Sequence, residues 1–418
     1  MTMIEKNLSS KNFELSRNNP ELLQRQEVEQ KFASRDPHYF DAFKDLGMPI
    51  EQIYLSHPSE EFSLRVRAVY TPEGVNYTAA LKDAGELVDG KLSRLEVTTP
   101  ISEATFQHYH DSPQYPRVHK LRTELADGLT IDFVEGLEAP IVECEPSSDP
   151  TGRQFIEAFK DELVDMTSDE TLLNESIAHE LHGAETLIPK NETLDELVDR
   201  MVGDAIAYYA VGYPQVVIGL SGMSGSGKST VARAVEKSLV EKFGEELRPL
   251  TLSTDDYHRG KRWLEETYGA PWTNWDDPRV YHTAELADDL KTLSDGKPIR
   301  RKHFDFATEE RVEDEEISTR PFVMIEGLYA GSADLKSVRH LHYEVPCGVA
   351  TSVGRDVRRL ILAGRANASI GSPEQRLRYQ LETALPSYQE QQQPTRNSFS
   401  ASTRPLAERA FMLEMLRS

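Results

Sequence analysis

Hydrophobic and polar positions alternate with period two through much of the first third of the chain. Ser63–Val69, Arg94–Thr98, Arg117–Arg122, Leu129–Val134 and Ile141–Glu145 each put apolar side chains on one face and polar ones on the other. That alternation predicts strands. From about Arg153 to Tyr209 the apolar spacing lengthens to that of helices, as in Phe155-Ile156-Glu157-Ala158-Phe159 and Leu194-Asp195-Glu196-Leu197-Val198. After Pro214 the run Val216-Val217-Ile218-Gly219-Leu220 is apolar on both faces, as in a strand buried within a parallel sheet. Strands and helices then alternate to about Pro394, followed by a Gln/Ser/Thr-rich passage and a short last helix. The expectation is a multidomain chain of α+β and α/β class. A polar arm occupies 1–22, an antiparallel β-barrel 23–160, a helical connector 161–213, a parallel-sheet domain 214–398 and a tail 399–418. No internal repeat is visible.

The polar faces of the early strands are not mixed. Glu27, Glu29 and Lys31 share one face of a strand; so do Arg65 with Arg67, Lys120 with Arg122, and Glu143 with Glu145. Lys82 lies in an intervening segment, and Arg94 pairs with Glu96 at period two. Strands that carry charge on one face cannot pack as a sandwich around an apolar interior. They can close into a barrel with a charged lumen. Acids on one wall suit Mg²⁺ or Mn²⁺, which prefer hard oxygen ligands, and bases on the facing walls suit a polyphosphate.

A different phosphate signal follows Leu220. Gly222-Met223-Ser224-Gly225-Ser226-Gly227-Lys228-Ser229 fits G-x-x-x-x-G-K-[ST], between a strand and the amphipathic helix that opens at Thr230. Glycines let backbone N–H groups turn inward around phosphate oxygens, and the helix N-terminus adds unpaired donors. Lys228 would reach the β- and γ-phosphates of ATP, and Ser229 would give an oxygen to Mg²⁺. Downstream, Leu250–Ser253 leads to Asp255 and Asp256, and Phe322–Ile325 leads to Glu326. Carboxylates at strand C-termini sit beside the phosphate site of an open α/β sheet, where one can take a hydroxyl proton and another hold Mg²⁺. Arg355, Arg358 and Arg359 lie at helical spacing, with Arg365 beyond, as a cluster that could close over ATP.

From Gln215 to Arg396 the chain resembles the uridine kinase/phosphoribulokinase group of P-loop kinases. The resemblance rests on the P-loop, Asp255-Asp256-Tyr257, Asn274 to Pro278, Phe304-Asp305-Phe306 with Arg311, and Glu326-Gly327. It implies ATP and Mg²⁺ as cofactors, Asp255 as general base, Asp276 at the acceptor hydroxyls, Phe304 and Arg311 beside the acceptor, and Arg365 in the lid. Three departures stand out. Glu309 occupies a position where uridine kinases carry histidine, Phe304 replaces a tyrosine, and Arg358 is followed by Arg359 without the usual Arg-Asp pairing.

From about Arg25 to Glu157 the chain is similar to the CYTH family, the triphosphate tunnel metalloenzymes. Glu27-x-Glu29-x-Lys31, Gln52-Ile53-Tyr54-Leu55 ahead of Arg65-x-Arg67, and Glu143-x-Glu145 carry that likeness. Thr98 stands where a second acid is common. The resemblance implies metal-dependent hydrolysis of a triphosphate. Glu27, Glu29, Glu143 and Glu145 would hold the metal, and Lys31, Arg65, Arg67, Lys82, Arg94, Lys120 and Arg122 the phosphates.

Composition narrows the partners. The formal net charge of −23 argues against a general nucleic-acid or membrane-surface binder, so positive charge must be concentrated locally. Cys144 and Cys347 are the only cysteines, which argues against a disulfide framework. Met1–Lys6 has no apolar leader pattern and no eighteen-residue apolar run occurs, which points to the cytoplasm. Small phosphate compounds and ATP are the expected partners, and a homo-oligomer remains open. His179-Glu180-Leu181-His182 has i,i+3 rather than i,i+4 spacing and reads as a solvated helix. The acidic run 309–316 reads as a solvated loop or hairpin; Trp263, Trp272 and Trp275 fit a pocket or simple packing. The favoured function is a kinase joined to a triphosphatase. Two other readings fit the same residues: a hydrolytic barrel with an ATP-binding regulator, and a non-catalytic nucleotide sensor.

Overall fold

A computed structural model describes residues 26–88, 91–145, 150–182, 193–306, 308–345, 347–363 and 371–396. The arm 1–22, the tail 399–418 and Arg365 lie outside the described residues. The chain divides into two compact units. One runs up to Ile188 and includes Gly348–Glu382; the other holds Pro189–Cys347 and the chain from Thr383.

In the first unit the strands are β1 (Gln26–Ser34), β2 (Met48–Tyr54), β3 (Phe62–Thr71), β4 (Gly74–Asp83), β5 (Glu86–Val88) and β6 (Lys91–Pro100). Helix α1 (Glu103–His110) is followed by β7 (Arg117–Ala126), β8 (Leu129–Val134), β9 (Ile141–Cys144), α2 (Thr151–Ala158), β10 (Leu163–Asp165) and α3 (Asn174–His182). Eight strands pair antiparallel in the order β1-β9-β8-β7-β2-β3-β4-β6, and β6 returns to pair with β1. The sheet is therefore a closed barrel, with β5 and β10 added at its margins.

Register decides what faces inward. Residues directly opposite on an antiparallel ladder share a face, and Glu27 stands opposite Arg94, Lys31 opposite Glu143, and Lys82 opposite Glu96. Tyr54 faces Arg65, Gln52 faces Arg67, and Arg122 faces Asp132. These pairs run round the barrel and line one lumen. The alternate residues point outward: Phe32, Leu129, Ile131 and Val142 form a cluster against Phe155 and Phe159 at α2. At one end the lumen face turns apolar, and Tyr54, Val118, Val134 and Ile141 pack on Ile177 and Ala178 of α3. The His-Glu-Leu-His helix is thus a plug rather than a solvated helix, and the His179 ring bonds the Ser56 carbonyl at 2.8 Å. The region read as helical from Arg153 also contains β10, which pairs with Phe32–Ser34 of β1.

The second unit opens with α4 (Leu194–Ala210), whose Thr193 and Glu196 form a capping box. Then follow β11 (Val216–Ser221), α5 (Lys228–Phe243), β12 (Leu250–Ser253), α6 (Lys261–Tyr268), α7 (Thr283–Ser294), β13 (Ile299–Asp305), β14 (Glu310–Ile317), β15 (Phe322–Glu326) and β16 (Leu341–Glu344). Four strands form a parallel sheet in the order β12-β15-β11-β16. Its two faces are apolar. Val216, Ile218 and Leu220 pack with α4 and α5, while Val217, Val323 and Ile325 pack with Leu286, Leu290 and Leu293 of α7. The acidic run is a hairpin strand, β14 against β13.

Helices α8 (Val349–Ala363) and α9 (Pro373–Tyr379) return to the barrel unit, although they lie within the span read as the parallel-sheet domain. Helix α8 packs on β3 and α9 on β6. The Glu60 carboxylate accepts from the Thr351 N–H at 2.8 Å, and Glu61 pairs with Arg355 at 2.8 Å and Arg358 at 3.5 Å. Asp356 joins the two helices by accepting from Arg376 and Gln380. Among the described residues no helix is long and apolar enough to cross a membrane.

A Cβ on Gly354 would run into the Phe62 ring. Gly354→Val should therefore cost about 1–3 kcal/mol by overpacking. Urea unfolding of the full chain should show a lower midpoint, and an unchanged midpoint would show that α8 does not seat on β3.

Candidate active sites

The lumen is a continuous ion-pair network. Lys82 Nζ donates to both Glu27 oxygens at 2.6 Å, and Arg94 reaches Glu27 at 2.9 Å and Glu29 at 2.5 Å. Lys31 lies 3.1 Å from Glu143, and Arg122 bonds both Glu143, at 2.5 Å, and Asp132, at 2.6 Å. Lys120 completes the chain at 2.5 Å from Asp132. Arg67 donates to Thr78 at 3.3 Å. Arg65 is tied to Tyr54, while its Nε has no hydrogen-bond partner. Every phosphate-binding residue expected in the barrel, from Lys31 to Arg122, therefore reaches the same interior.

Electrostatics follow the pairing. Burial alone would raise the Glu27 carboxyl, but Lys82 and Arg94 outweigh it and hold it at about 2. Glu143 is held well below the usual range by Lys31 and Arg122 against the same burial cost. Burial and the Arg122 charge bring Lys120 down to about 8, although Asp132 opposes them. Burial and the charges of Arg65 and Arg122 bring Arg67 to about 10. Glu145 differs: burial and the charges of Glu27, Glu143 and Glu29 push it up to about 6.

Glu145 thus feels the other three proposed metal-holding acids, and carboxylate oxygens suit a hard divalent cation. Yet Glu27, Glu29 and Glu143 are each occupied by a base. Among the described residues no three acids, histidines or cysteines stand together as a ligand set. Asp132 was not singled out by sequence: Leu129–Val134 showed a strand, and only the register against Arg122 shows the acid facing inward. Glu175 of α3 is a second addition, buried at the plugged end, bonded to Ser56 and near Arg65 and Arg94.

The second unit gathers the P-loop residues. Gly222 has φ +153° and a Cβ there would meet Ser226 Oγ at 2.7 Å; Gly227 has φ +99° and forms the N-cap of α5 without a side-chain cap. Gly225 turns the loop between them, with φ +82°. Ser226 Oγ is buried without a partner, as a donor awaiting an anion would be. Lys228 Nζ bonds the carbonyls of Gly222 and Met223 at 2.9 Å each. Ser224 is half-buried, and Ser229 and Thr230 are exposed.

Glu326 is the meeting point. Burial and the nearby Asp255 raise its carboxyl, while Lys228 and hydrogen bonds from Ser253 and Ser229 oppose the rise. The ends of β12 and β15 and the start of α5 are therefore in contact. These residues fit Mg-ATP, with an orphaned loop hydroxyl, an uncapped helix start and a carboxylate bonded to Ser229.

The acceptor elements are close by in sequence order and in packing. The Asp276 carbonyl accepts from Tyr329 Oη at 2.5 Å. Trp275 lies 6.1 Å from Phe304, and both flank His258, whose two ring nitrogens are buried without partners. Arg311 is held by Glu285 at 2.6 Å, and Glu309, at φ +57°, by Lys261 at 2.7 Å. Arg358 is in the other unit, on Glu61.

Residues 217–354 match the family model described as Phosphoribulokinase / Uridine kinase family. The uridine kinase of Alkaliphilus metalliredigens (strain QYMF) is 36% identical over 116 residues, 27% of this chain and 52% of that protein. The inorganic pyrophosphatase TTM1 of Arabidopsis thaliana is 30% identical over 179 residues, 41% of this chain and 24% of that protein. The chain spans about half the length of the first and a quarter of the second. A crystal structure titled inorganic triphosphatase NE1496 aligns with a TM-score of 0.24 and 22% identity, covering 36% of this chain and 93% of that one. The chain thus joins a closed antiparallel barrel to a parallel-sheet unit in which residues 217–354 match that family model.

The Glu27 pairing has a pH signature. Its carboxyl is lowered by folding, so its stabilisation is complete above about 4.5 and is lost as pH falls toward about 2. Glu27→Gln should lower stability at neutral pH. It should also remove up to about 1.4 kcal/mol per pH unit of the slope in that window, read from urea unfolding at a series of pH values. Parallel profiles for both proteins would refute the pairing.

Proposed function

We propose that the chain is a two-site phosphate enzyme, an ATP-dependent phosphotransferase to a hydroxyl joined to a metal-dependent triphosphatase. The observation that carries the first activity is the contact of Glu326 with Ser229, Ser253, Lys228 and Asp255. The α5 N-terminus and Lys228 would bind the β- and γ-phosphates, and Ser229 with Glu326 would hold Mg²⁺. Asp255 takes the proton from the acceptor hydroxyl as its oxygen bonds the γ-phosphorus and the bond to the β-phosphate oxygen breaks, leaving ADP. Asp276 and Phe304 border the acceptor, with Arg311 behind them.

In the barrel, Lys31, Arg65, Arg67, Lys82, Arg94, Lys120 and Arg122 hold the phosphate oxygens. Their present carboxylate partners are placeholders. As phosphates draw the bases away, Glu27, Glu29, Glu143 and Glu145 become available to a divalent cation. When bound, Mg²⁺ or Mn²⁺ neutralises phosphate charge and supplies an activated water. Glu145 loses its proton near pH 6, so metal-supported hydrolysis rises with pH through that value.

A second reading keeps hydrolysis in the barrel and makes the P-loop an ATP-binding regulator. The engagement of Arg355 and Arg358 by Glu61 supports it, since those arginines are then not available over ATP.

Asp255→Asn should lower transfer to an alcohol acceptor by about 10²–10⁴-fold while ATP binding persists. Glu29→Gln should abolish inorganic triphosphate hydrolysis, which Lys228→Ala leaves intact. Phosphate release and acceptor phosphorylation, assayed in parallel on the full chain, decide between the readings. Hydrolysis without any transfer to a panel of nucleosides and sugar alcohols selects the regulator.

A further inference from the structure

The second unit contains a cavity of about 490 Å³, a size that suits a small organic ligand. Asp255, Asp276, Phe304 and Arg311 do not line it, and neither does any residue of the loop Gly222–Ser229. Its occupant is therefore not a reactant. The walls are of two kinds. Tyr268, Tyr281, Tyr329 and Tyr388, with Pro278 and Leu328, make an aromatic and apolar side. Arg259, Arg279, Thr283 and Ser332 make a polar side, with one acid, Asp334.

The polar side carries one uncompensated charge. Arg279 is paired with Asp277 at 2.7 Å and lies over Tyr268 and Trp272. Arg259 lies over the Trp263 ring at 4.5 Å, and among the described residues no carboxylate stands within ion-pair distance of it. Ser332 Oγ is buried without a hydrogen-bond partner. The first turn of α7, at Thr283 and Ala284, has no side-chain cap, so its N–H groups add partial positive charge. Glu285 in that turn is taken up by Arg311 and Lys302, and Asp334 by the Thr283 hydroxyl. His342, also at the cavity, bonds Ser221 Oγ at 2.9 Å; burial and the Arg339 charge bring it down to about 3, so it stays neutral.

These groups define a class of ligand. One free guanidinium, with hydroxyl and helix N–H donors beside it, answers a single negative charge. A phosphate dianion would bring a second charge next to Asp334, whereas a carboxylate fits the guanidinium fork and leaves no charge over. The tyrosine side calls for an apolar or flat body behind that head, which a bare inorganic anion lacks. Tyr329 ties the cavity to its surroundings: its hydroxyl donates to the Asp276 carbonyl at 2.5 Å.

We propose that this cavity is a binding site for a small organic monocarboxylate with an apolar or aromatic body, its carboxylate on Arg259 and its body among the tyrosines. The occupant sits behind the loop that carries Asp276 and takes no part in phosphoryl transfer. The site stands whether or not the unit is a kinase.

Trp263 and Trp272 stack with the two arginines, and the remaining tryptophan, Trp275, is in the same unit, so intrinsic fluorescence reports on this unit and not on the barrel. With ADP and Mg²⁺ saturating the P-loop of the full chain, four transparent probes are titrated: cyclohexanecarboxylate, its neutral amide, acetate and inorganic phosphate. Cyclohexanecarboxylate should give a saturable change at millimolar concentration, and the other three should bind about tenfold more weakly or worse. Arg259→Met should weaken cyclohexanecarboxylate by a similar factor, Arg259→Lys should keep part of the affinity, and Ser332→Ala should lose severalfold. ADP binding unchanged in these variants shows that the unit is still folded. An amide that binds as tightly as the acid, or acetate or phosphate that does so, overturns the ligand class. No saturable response, or unchanged affinity in Arg259→Met and Ser332→Ala, overturns the site.

Discussion

Charge held in a confined space must be answered at close range, and the barrel depends on that requirement. Glu29, Lys31, Lys82, Lys120 and Asp132 are all almost wholly buried. Removing such groups from water costs several kcal/mol each unless partners replace the water. The network does this by sharing: Arg94 serves Glu27 and Glu29, while Arg122 serves Glu143 and Asp132. Barrel closure and network need one another. Only a closed sheet brings β6 to β1, and only that pairing puts Arg94 opposite Glu27. A sandwich of the same strands would leave these charges facing apolar surface.

The P-loop meets the same requirement with backbone. Its donors are N–H groups at an uncapped helix start, which carry partial charge without a counter-ion to displace. The acids there are few and purposeful. Glu326 and Asp255 come together at the strand ends, which raises the Glu326 carboxyl and leaves a site where a cation relieves repulsion. The lumen holds its charges as pairs; the P-loop holds an unmet demand, visible in the orphaned Ser226 hydroxyl.

Much of this was readable from the chain, for definable reasons. Period two marks a strand wherever its two faces meet different surroundings, so β3, β6 to β9 and the charged face of β1 were legible. Strand β2 was not, because Ile50 to Tyr54 is buried on both faces, one toward the lumen and one toward the shell. Asp132 was invisible as a lumen acid because its direction depends on pairing with Arg122, a long-range fact of register. The His-Glu-Leu-His helix was read from its histidines, while its buried residues, Glu175, Ile177 and Ala178, are what place it.

The arginines of α8 show where local reading stops. Helical spacing gives Arg355 and Arg358 a common face and cannot say what that face meets. The outer surface of β3 supplies the answer. Phe62, Leu64 and Val66 alternate with the lumen's Arg65 and Arg67, and all three are at most 2% exposed. A barrel wall with charge inside must still bury its apolar outside. On β1, β8 and β9 that cover is α2, which follows directly in sequence; on β3 it is α8, which arrives only after the whole parallel sheet has been built. The kinase-family match, 217–354, runs into the first turns of that helix. A boundary drawn near residue 214 would therefore set the stretch that matches the family model apart from the barrel and yet strip β3 of its cover. The stretch that matches the kinase family model therefore ends inside a helix the barrel needs, and the two halves share one fold dependency, set by the need to keep the outer face of a charged barrel dry.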